Sequence, residues 1–489
     1  MTWNRREVLG GLGIASARAL LWAFAGCVPK APATPREAAL SAEVSGEVRL
    51  WLQDAVSRLH AVGFQRVHAL AVRRTRATAA VDVIGASVSR GRADAAVITA
   101  IDAHGSREQV TSRLTEDGVA AAVRALAPKA GPFASIDFGP KPPPIRQPAQ
   151  LDDAALVERV AAIEHRELPS RIIYTAGLLD VDDVTVWSVE RGRDLVQQIV
   201  RVLRSSTRVA WDRDRPSAIE VSRAWAGNVD AQQLDAAEIA YARDTVLAPM
   251  TPGAFRDGEH PIVLSPSVTA AVIDAAVRAL LTSRAARRPE VAARLAAGAT
   301  IASPVLTLVD DPTARNAYGG FSFDDEGTPA EPQTLLDRGR IAGRLADRAG
   351  VAAGLATVAG RGRRPGHAGP VEPMPSHLRL APGSAPIALA DGYQLEIARG
   401  ASVDPASDRV VISVGRALEL AAGKPTGRVY ADVELVGELG ALLASITDAS
   451  QDTRTFGFRD ERDGLPCWRS IEAPFVRGTG MLRARRRPA

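Results

Sequence analysis

The stretch from residue 310 to 364 constrains this chain more than any other. It reads Asp310-Asp311-Pro312-Thr313, then Tyr318-Gly319-Gly320-Phe321-Ser322-Phe323-Asp324-Asp325-Glu326-Gly327-Thr328-Pro329, and later Gly360-Arg361-Gly362-Arg363-Arg364. Gly319, Gly320 and Gly327 permit turns that residues with a Cβ resist. The consecutive carboxylates Asp324-Asp325-Glu326 leave three uses open: a solvated acidic turn, a helix N-cap, or ligands for a hard cation. The segment is neither a long helix nor a simple strand, so the fold around it must be turn-rich.

The rest of the chain alternates helical and extended patterns. Val48, Leu50, Trp51, Ala55, Val56 and Leu59 recur at helical spacing over 46–63. Residues 67–72 and 79–83 read as strands, 118–126 as a helix, 127–150 as a Pro-rich loop and 151–163 as a helix. Residues 171–174 and 185–189 read as strands, and 229–247 as helical. Periodicity leaves 196–203 open between strand and helix. After Thr251-Pro252-Gly253, a strand over 261–265 leads into a helix over 267–284. Short β-segments follow, with 409–414 and 428–436 the clearest and Gly423 to Gly427 a turn between them. The expected class is α+β. An α/β region (46–250) precedes a β-rich C-terminal domain (251–489).

The N-terminus reads as an address rather than as structure. Asn4-Arg5-Arg6-Glu7-Val8-Leu9 fits a twin-arginine export signal, with Arg5 and Arg6 as the pair that is read. The apolar run to Gly26 is short and broken by Arg18, a poor transmembrane helix. It ends in Phe24-Ala25-Gly26-Cys27, which resembles a lipoprotein cleavage box with Cys27 as the lipidated residue. Residues 1–27 are expected to be signal and 28–45 a Pro-rich linker. The expected location is the envelope, as a periplasmic or membrane-anchored protein, with the membrane touched only through the lipid. An uncleaved helix in a cytoplasmic protein is the alternative.

The formal net charge is +4, carried by scattered arginines. No zinc-knuckle, RNP or helix-turn-helix pattern accompanies it, so nucleic acid is not an expected partner. Two cysteines, Cys27 and Cys467, make no disulfide framework. No Gly-x-Ser-x-Gly elbow, Walker loop or dinucleotide fingerprint is found in strand–helix context.

The 310–364 motifs, with Leu335-Leu336-Asp337-Arg338-Gly339-Arg340-Ile341-Ala342-Gly343-Arg344-Leu345-Ala346-Asp347-Arg348 between them, resemble the TldD/PmbA family of metalloprotease-related proteins. Arg361 departs from that pattern, where the family carries Asn. Pro373-Met374-Pro375-Ser376-His377-Leu378 extends the likeness. The resemblance implies a zinc helix carrying His-Glu-x-x-x-His after a strand of the type Val263-Leu264-Ser265-Pro266. The two His would be metal ligands and the Glu a general base. Here the first His falls on Asp274, the Glu on Ala275 and the second His on Ala279. The third ligand implied by the family is a C-terminal cysteine, and Cys467 stands near that place in a departing context, Cys467-Trp468-Arg469-Ser470. None of the seven histidines has another His or Cys within four residues.

The resemblance further implies a heterodimer, with a metal-holding TldD subunit and a metal-free PmbA subunit degrading peptides or unfolded polypeptide. Three readings follow. The first is a degenerate member without a cofactor, binding peptide or pairing with itself or a TldD-like subunit. The second is an active metallopeptidase holding zinc through Asp274 and Cys467. The third is a structural envelope lipoprotein.

Overall fold

A computed structural model describes residues 35–485 apart from 130, 132–133, 144, 146–151, 165–170, 213–214, 252–254, 293, 367–368, 388–390, 405–406 and 463–464. Arg5, Arg6 and Cys27 therefore lie outside the described residues. The first described element, helix α1 (Pro35–Ala61), starts within the stretch whose composition reads as linker. Its later turns place Val48, Leu52, Ala55, Val56 and Leu59 on one fully buried stripe.

The first half is built on a six-stranded antiparallel sheet of order β3-β2-β1-β4-β5-β6. Its strands are β1 (Arg66–Asp82), β2 (Ala86–Asp102), β3 (Gly105–Thr111), β4 (Ile172–Glu190), β5 (Arg193–Asp212) and β6 (Arg215–Ala226). Segments 67–72 and 79–83 are one strand, as are 171–174 and 185–189, and 196–203 is part of β5. Helices α2 (Glu116–Leu126), α3 (Asp153–Glu164) and α4 (Ala236–Leu247) join α1 on one face of this sheet. Thr115 caps α2, and Asp235 with Glu238 forms a reciprocal capping box on α4.

Alternation of side chains along the strands sorts the two faces. Val67, Ala69, Ala71, Trp187 and Val189 pack under α1 and α2, and Ala79, Leu179 and Val202 pack with Leu156 of α3. The opposite face carries Leu70, Arg74, Arg76, Asp180, Asp182 and Val186. It meets the second half of the chain through Tyr318, Phe323 and Trp468.

In the second half, β7 (Gly258–Leu264) leads into helix α5 (Pro266–Leu280). Strands β8 (Leu308–Asp310), β9 (Gln333–Asp337), β10 (Arg340–Ile341), β11 (Gly362–Arg363), β12 (Glu372–Pro373) and β13 (His377–Leu380) are short. They are followed by the long β14 (Gly392–Val403), β15 (Arg409–Ala421), β16 (Lys424–Glu438), β17 (Asp448–Arg462) and β18 (Leu465–Ala484). β18 pairs with β16, β16 with β15, β15 with β14, and β14 with β7. β7 then pairs back with β18, from Val476↔Leu264 to Leu482↔Gly258, so five strands form a closed ring. The largest apolar cluster in the molecule joins this ring to α5 through Ile262, Val272, Leu395, Ile412, Val433 and Val476. The expected α+β architecture is the observed one.

Candidate functional site

Helix α5 begins at Ser265, with Pro266 in the first turn, where a missing N–H costs nothing. It is apolar nearly all round and buried nearly all round, as such a helix must be. Asp274 is the exception, a carboxylate only 5% exposed in the middle of a buried helix. A buried charge of this kind needs a partner.

Its partner is Arg469 on β18, itself 5% exposed. The guanidinium donates from Nε to Asp274 Oδ1 at 2.7 Å and from Nη2 to Oδ2 at 3.1 Å. The third nitrogen, Nη1, donates to Asp460 Oδ2 at 2.6 Å, and the plane lies over the ring of Phe458 at 5.2 Å. One turn along α5, Arg278 approaches Asp274 at 3.3 Å and Asp460 at 3.7 Å. Two arginines and two aspartates therefore form a neutral quartet joining α5 to the β17–β18 hairpin. The bidentate fork is the strongest geometry open to this pair.

Cys467 is opposite Asp460 in the hairpin and is buried. Burial pushes its thiol up to about 12, Arg363 and Arg469 pull it down, and Asp325 and Asp460 push it further up. At neutral pH the sulfur holds its proton. Ala275 is fully packed, and Ala279 is partly buried against the same core. Arg469 thus acts on both Asp274 and Cys467, placing the two in one neighbourhood. Among the described residues, no group of three or more His, Cys, Asp or Glu is placed to hold a metal ion.

The acidic turn beside this hairpin is an internal clamp. Asp324 Oδ1 accepts the N–H of Glu326 at 3.0 Å and of Thr328 at 2.9 Å, and its Oδ2 accepts Gly362 N–H at 2.8 Å. Asp325 accepts Arg364 N–H at 2.7 Å, and Glu326 accepts Arg348 N–H at 2.6 Å. Burial pushes Asp324 up to about 6, against the pull of its amide donors. Burial also pushes Glu326 up to about 8, helped by repulsion from Asp324 and Asp347. The turn is not the solvated one the sequence left open: Asp324 is buried, Asp325 and Glu326 are partly so, and all three accept backbone N–H groups. Gly319 is demanded by proximity: a Cβ there would meet Ser376 O at 2.0 Å and Arg469 Cα at 2.5 Å. The glycine loop is thereby pressed against the strand that carries Arg469. Arg361, the departure from the family pattern, is fully buried against Asp310, which also accepts Ser376 N–H at 2.9 Å.

The family described as PmbA/TldA metallopeptidase C-terminal domain matches residues 257–481, which include α5, the acidic turn and the hairpin. The match supports a TldD/PmbA family member through this C-terminal part of the chain. It is 26% identical over 162 residues to a protein named metalloprotease TldD homolog from Haemophilus influenzae, covering 32% of this chain and 33% of that protein. It is also 26% identical over 200 residues to a metalloprotease of Methanocaldococcus jannaschii, covering 40% and 44%. The matches thus span less than half the length of these relatives. Among solved structures, TldE from Thermococcus kodakarensis superposes with a TM-score of 0.69 at 16% identity, over 90% of this chain and 99% of that one. A Bacteroides thetaiotaomicron protein described as a candidate modulator of DNA gyrase gives 0.71 at 14%, over the same shares. At these identities the structural likeness establishes the fold.

Zinc, the metal the TldD/PmbA resemblance implies, does not fit the residues at these positions. Catalytic zinc needs about three protein ligands and an open position. Both oxygens of Asp274 are held by Arg469, and Ala275 and Ala279 offer no donor, so Cys467 is left short of the ligand count. Two guanidiniums at Asp274 would also repel a dication. Sequence reasoning located Asp274 and Cys467 but missed Arg469, Arg278 and Asp460. The available signal was an arginine two residues beyond Cys467 on the same face of the strand, between Cys467 and the apolar Ile471 and Ala473.

Proposed function

We propose that this chain is a TldD/PmbA-family protein without its own catalytic zinc, acting as a non-catalytic partner subunit of a TldD-like peptidase or as a peptide-binding protein. The observation that carries this reading is the Asp274–Arg469 fork. A cation supplied by the chain itself neutralises the carboxylate at the position of the family's first ligand. The fold shared with TldE over most of the chain and the partial match to a TldD-named relative support a role beside a TldD-like subunit.

The test is direct. Elemental analysis of the purified chain is expected to find no stoichiometric zinc, and unfolded peptides are expected to stay intact. Light scattering of a mixture with a TldD-like subunit is expected to show a complex. Chelator-sensitive cleavage by the chain alone would overturn the reading. A graft sharpens it: Asp274→His, Ala275→Glu and Ala279→His should bind zinc only when Arg469→Ala is added. Zinc binding by the triple variant with Arg469 intact would show that the guanidinium does not block the position.

The proposed setting is the envelope, reached through Arg5 and Arg6 and held through Cys27. Arg5→Lys with Arg6→Lys should abolish export in fractionated cells, and Cys27→Ser should abolish fatty-acid labelling. Unchanged envelope localisation of the double variant would remove the twin-arginine reading.

A further inference from the structure

The segment 318–328 bridges the two halves of the chain. Arg193 and Gln197 of β5 donate to Gly327 O at 2.7 Å and Phe323 O at 2.9 Å. Ser322 N–H returns a bond to Gln197 Oε1 at 2.8 Å, and Arg201 donates to Tyr318 O and Gly320 O, both at 2.9 Å. Gly327 lies flat on the first sheet. A Cβ there would stand 2.4 Å from Ser188 Oγ on β4 and 3.4 Å from His68 Nε2 on β1. Glu326 is wedged beside this contact. Its Oε2 accepts the Arg348 N–H at 2.6 Å, and a Cβ on Gly362 would meet the same oxygen at 2.6 Å. The Arg348 side chain reaches back to Glu190 of β4 at 3.0 and 3.1 Å. With an amide on one side and Gly362 on the other, the carboxyl group swings aside only if the turn moves with it.

The charged groups facing Glu326 are unevenly shared. Asp324 and Asp325 lie on its own turn, and Asp347 caps the short helix Arg348–Ala352 beside it, accepting Gly350 N–H at 2.7 Å. The cations of the neighbouring strands are taken up elsewhere. Arg348 and Arg193 lie 3.0 and 3.3 Å from Glu190, Arg364 lies 2.7 Å from Glu108, and Arg363 lies 3.4 Å from Asp325. Arg66, the cation whose field reaches Glu326, is half-exposed and also faces Glu190, at 3.6 Å. Among the described residues, none of Asp324, Glu326 and Asp347 makes an ion pair. His68 adds no charge, because burial pulls it down to about 3, helped by Arg66, Arg364 and Arg193. Burial, with repulsion from Asp324 and Asp347, holds Glu326 at about 8.

We propose that the acidic turn is a proton-operated latch between the two halves of the chain, seated against β4 and β5 while Glu326 is protonated and lifted when Glu326 ionises. Once ionised, this carboxylate faces three others across a half-buried space, with only Arg66 to offset them, and water is the remaining remedy. Lifting the turn breaks the bonds from Arg193 and Gln197 and loosens the hairpin of β4 and β5 at 188–197. The sign follows from proton binding. The seated state keeps a proton up to about pH 8, and the lifted state, with an ordinary carboxyl near 4.5, does not. Seating is therefore complete at low pH and weakens as pH rises between these values. No residue of the Asp274 quartet takes part, and the latch does not rest on the partner-subunit reading.

The experiment is hydrogen exchange of the purified full-length chain, read by mass spectrometry from about pH 5 to about pH 9 and corrected for the intrinsic rate at each pH. Opening of 318–330 and 188–197 is expected to rise about ten-fold per pH unit and to level off near pH 8, while β15 and β16 stay unchanged. Glu326→Gln, which keeps the shape without the charge, should give a flat profile. Asp347→Asn, which keeps the cap and removes one repelling charge, should level off at a lower pH. A flat wild-type profile, a rise shared by β15 and β16, an undiminished rise in Glu326→Gln, or an unmoved levelling point in Asp347→Asn would each overturn the latch. Should a variant not fold, the wild-type comparison of 318–330 with β15 and β16 decides alone.

Discussion

Two neighbouring regions bury carboxylates in opposite ways. In the α5–hairpin quartet, Asp274 and Asp460 face Arg469 and Arg278, and the charges cancel. In the acidic turn, Asp324 is met by three backbone N–H groups and Glu326 by one, while each faces other carboxylates. Amides solvate an anion without neutralising it. Burial, with repulsion from the neighbouring carboxylates, therefore raises Asp324 to about 6 and Glu326 to about 8. An arginine fork makes a joint that depends on both partners. An amide-capped turn makes one that depends on pH.

Removing one side of the fork should give the largest effect. Arg469→Met leaves Asp274 buried beside only the half-exposed Arg278, and should cost about 3–5 kcal/mol in denaturant unfolding. Adding Asp274→Leu should restore most of that loss, because both buried charges are then gone. If the double variant is no more stable than the single, the fork does not set this joint.

The joint between the halves of the chain should be more forgiving. Asp180 is held by Arg76 at 2.7 and 2.6 Å, by Thr78 at 2.9 Å, and by Arg459 from the hairpin at 2.6 Å. Arg459→Met leaves the first two in place. It should cost about 1–2 kcal/mol and speed hydrogen exchange along β17 before elsewhere. A loss as large as that of Arg469→Met would mean that this cluster, rather than the quartet, is the less forgiving joint.

The turn should show its difference as a pH slope. Glu326 has a folded pKa of about 8, above its ordinary value of 4.5. The folded state thus binds more protons than the unfolded state between those values, and stability from this group falls as pH rises through that window. Glu326→Gln should be close to neutral at pH 5, stabilising by a few degrees of melting temperature at pH 8, and flatter in between. A variant with the same slope as wild type would remove Glu326 as its origin.

Much of this architecture was legible because local patterns agree with the fold. The 310–364 motifs carried the family likeness, and the strand read over 261–265 and the helix read over 267–284 lie close to β7 and α5. The long strands were harder to read. Arg73, Arg74, Thr75 and Arg76 look like a polar break between 67–72 and 79–83, yet they continue β1. Arg73, Arg74 and Arg76 pair with Asp94, Asp182 and Asp180 on adjacent strands. Asp180 to Asp183 likewise interrupts β4 in the sequence and not in the sheet. A strand whose charges are answered across its neighbours cannot be recognised from its own residues. The same holds for Arg469, whose meaning lies in Asp274, far away in the chain.

The closed ring of five strands also sets an order of events. β7 is the first strand of the second half, and its antiparallel partner is residues 476–482. The six-stranded sheet is complete once residue 226 has been made, and can form during synthesis. The ring must wait for more than two hundred further residues, holding β7 and the apolar α5 without their final partners. Contacts so distant in sequence form slowly and leave apolar surface open to aggregation meanwhile. The nascent second half should therefore be the part of this chain that needs a chaperone.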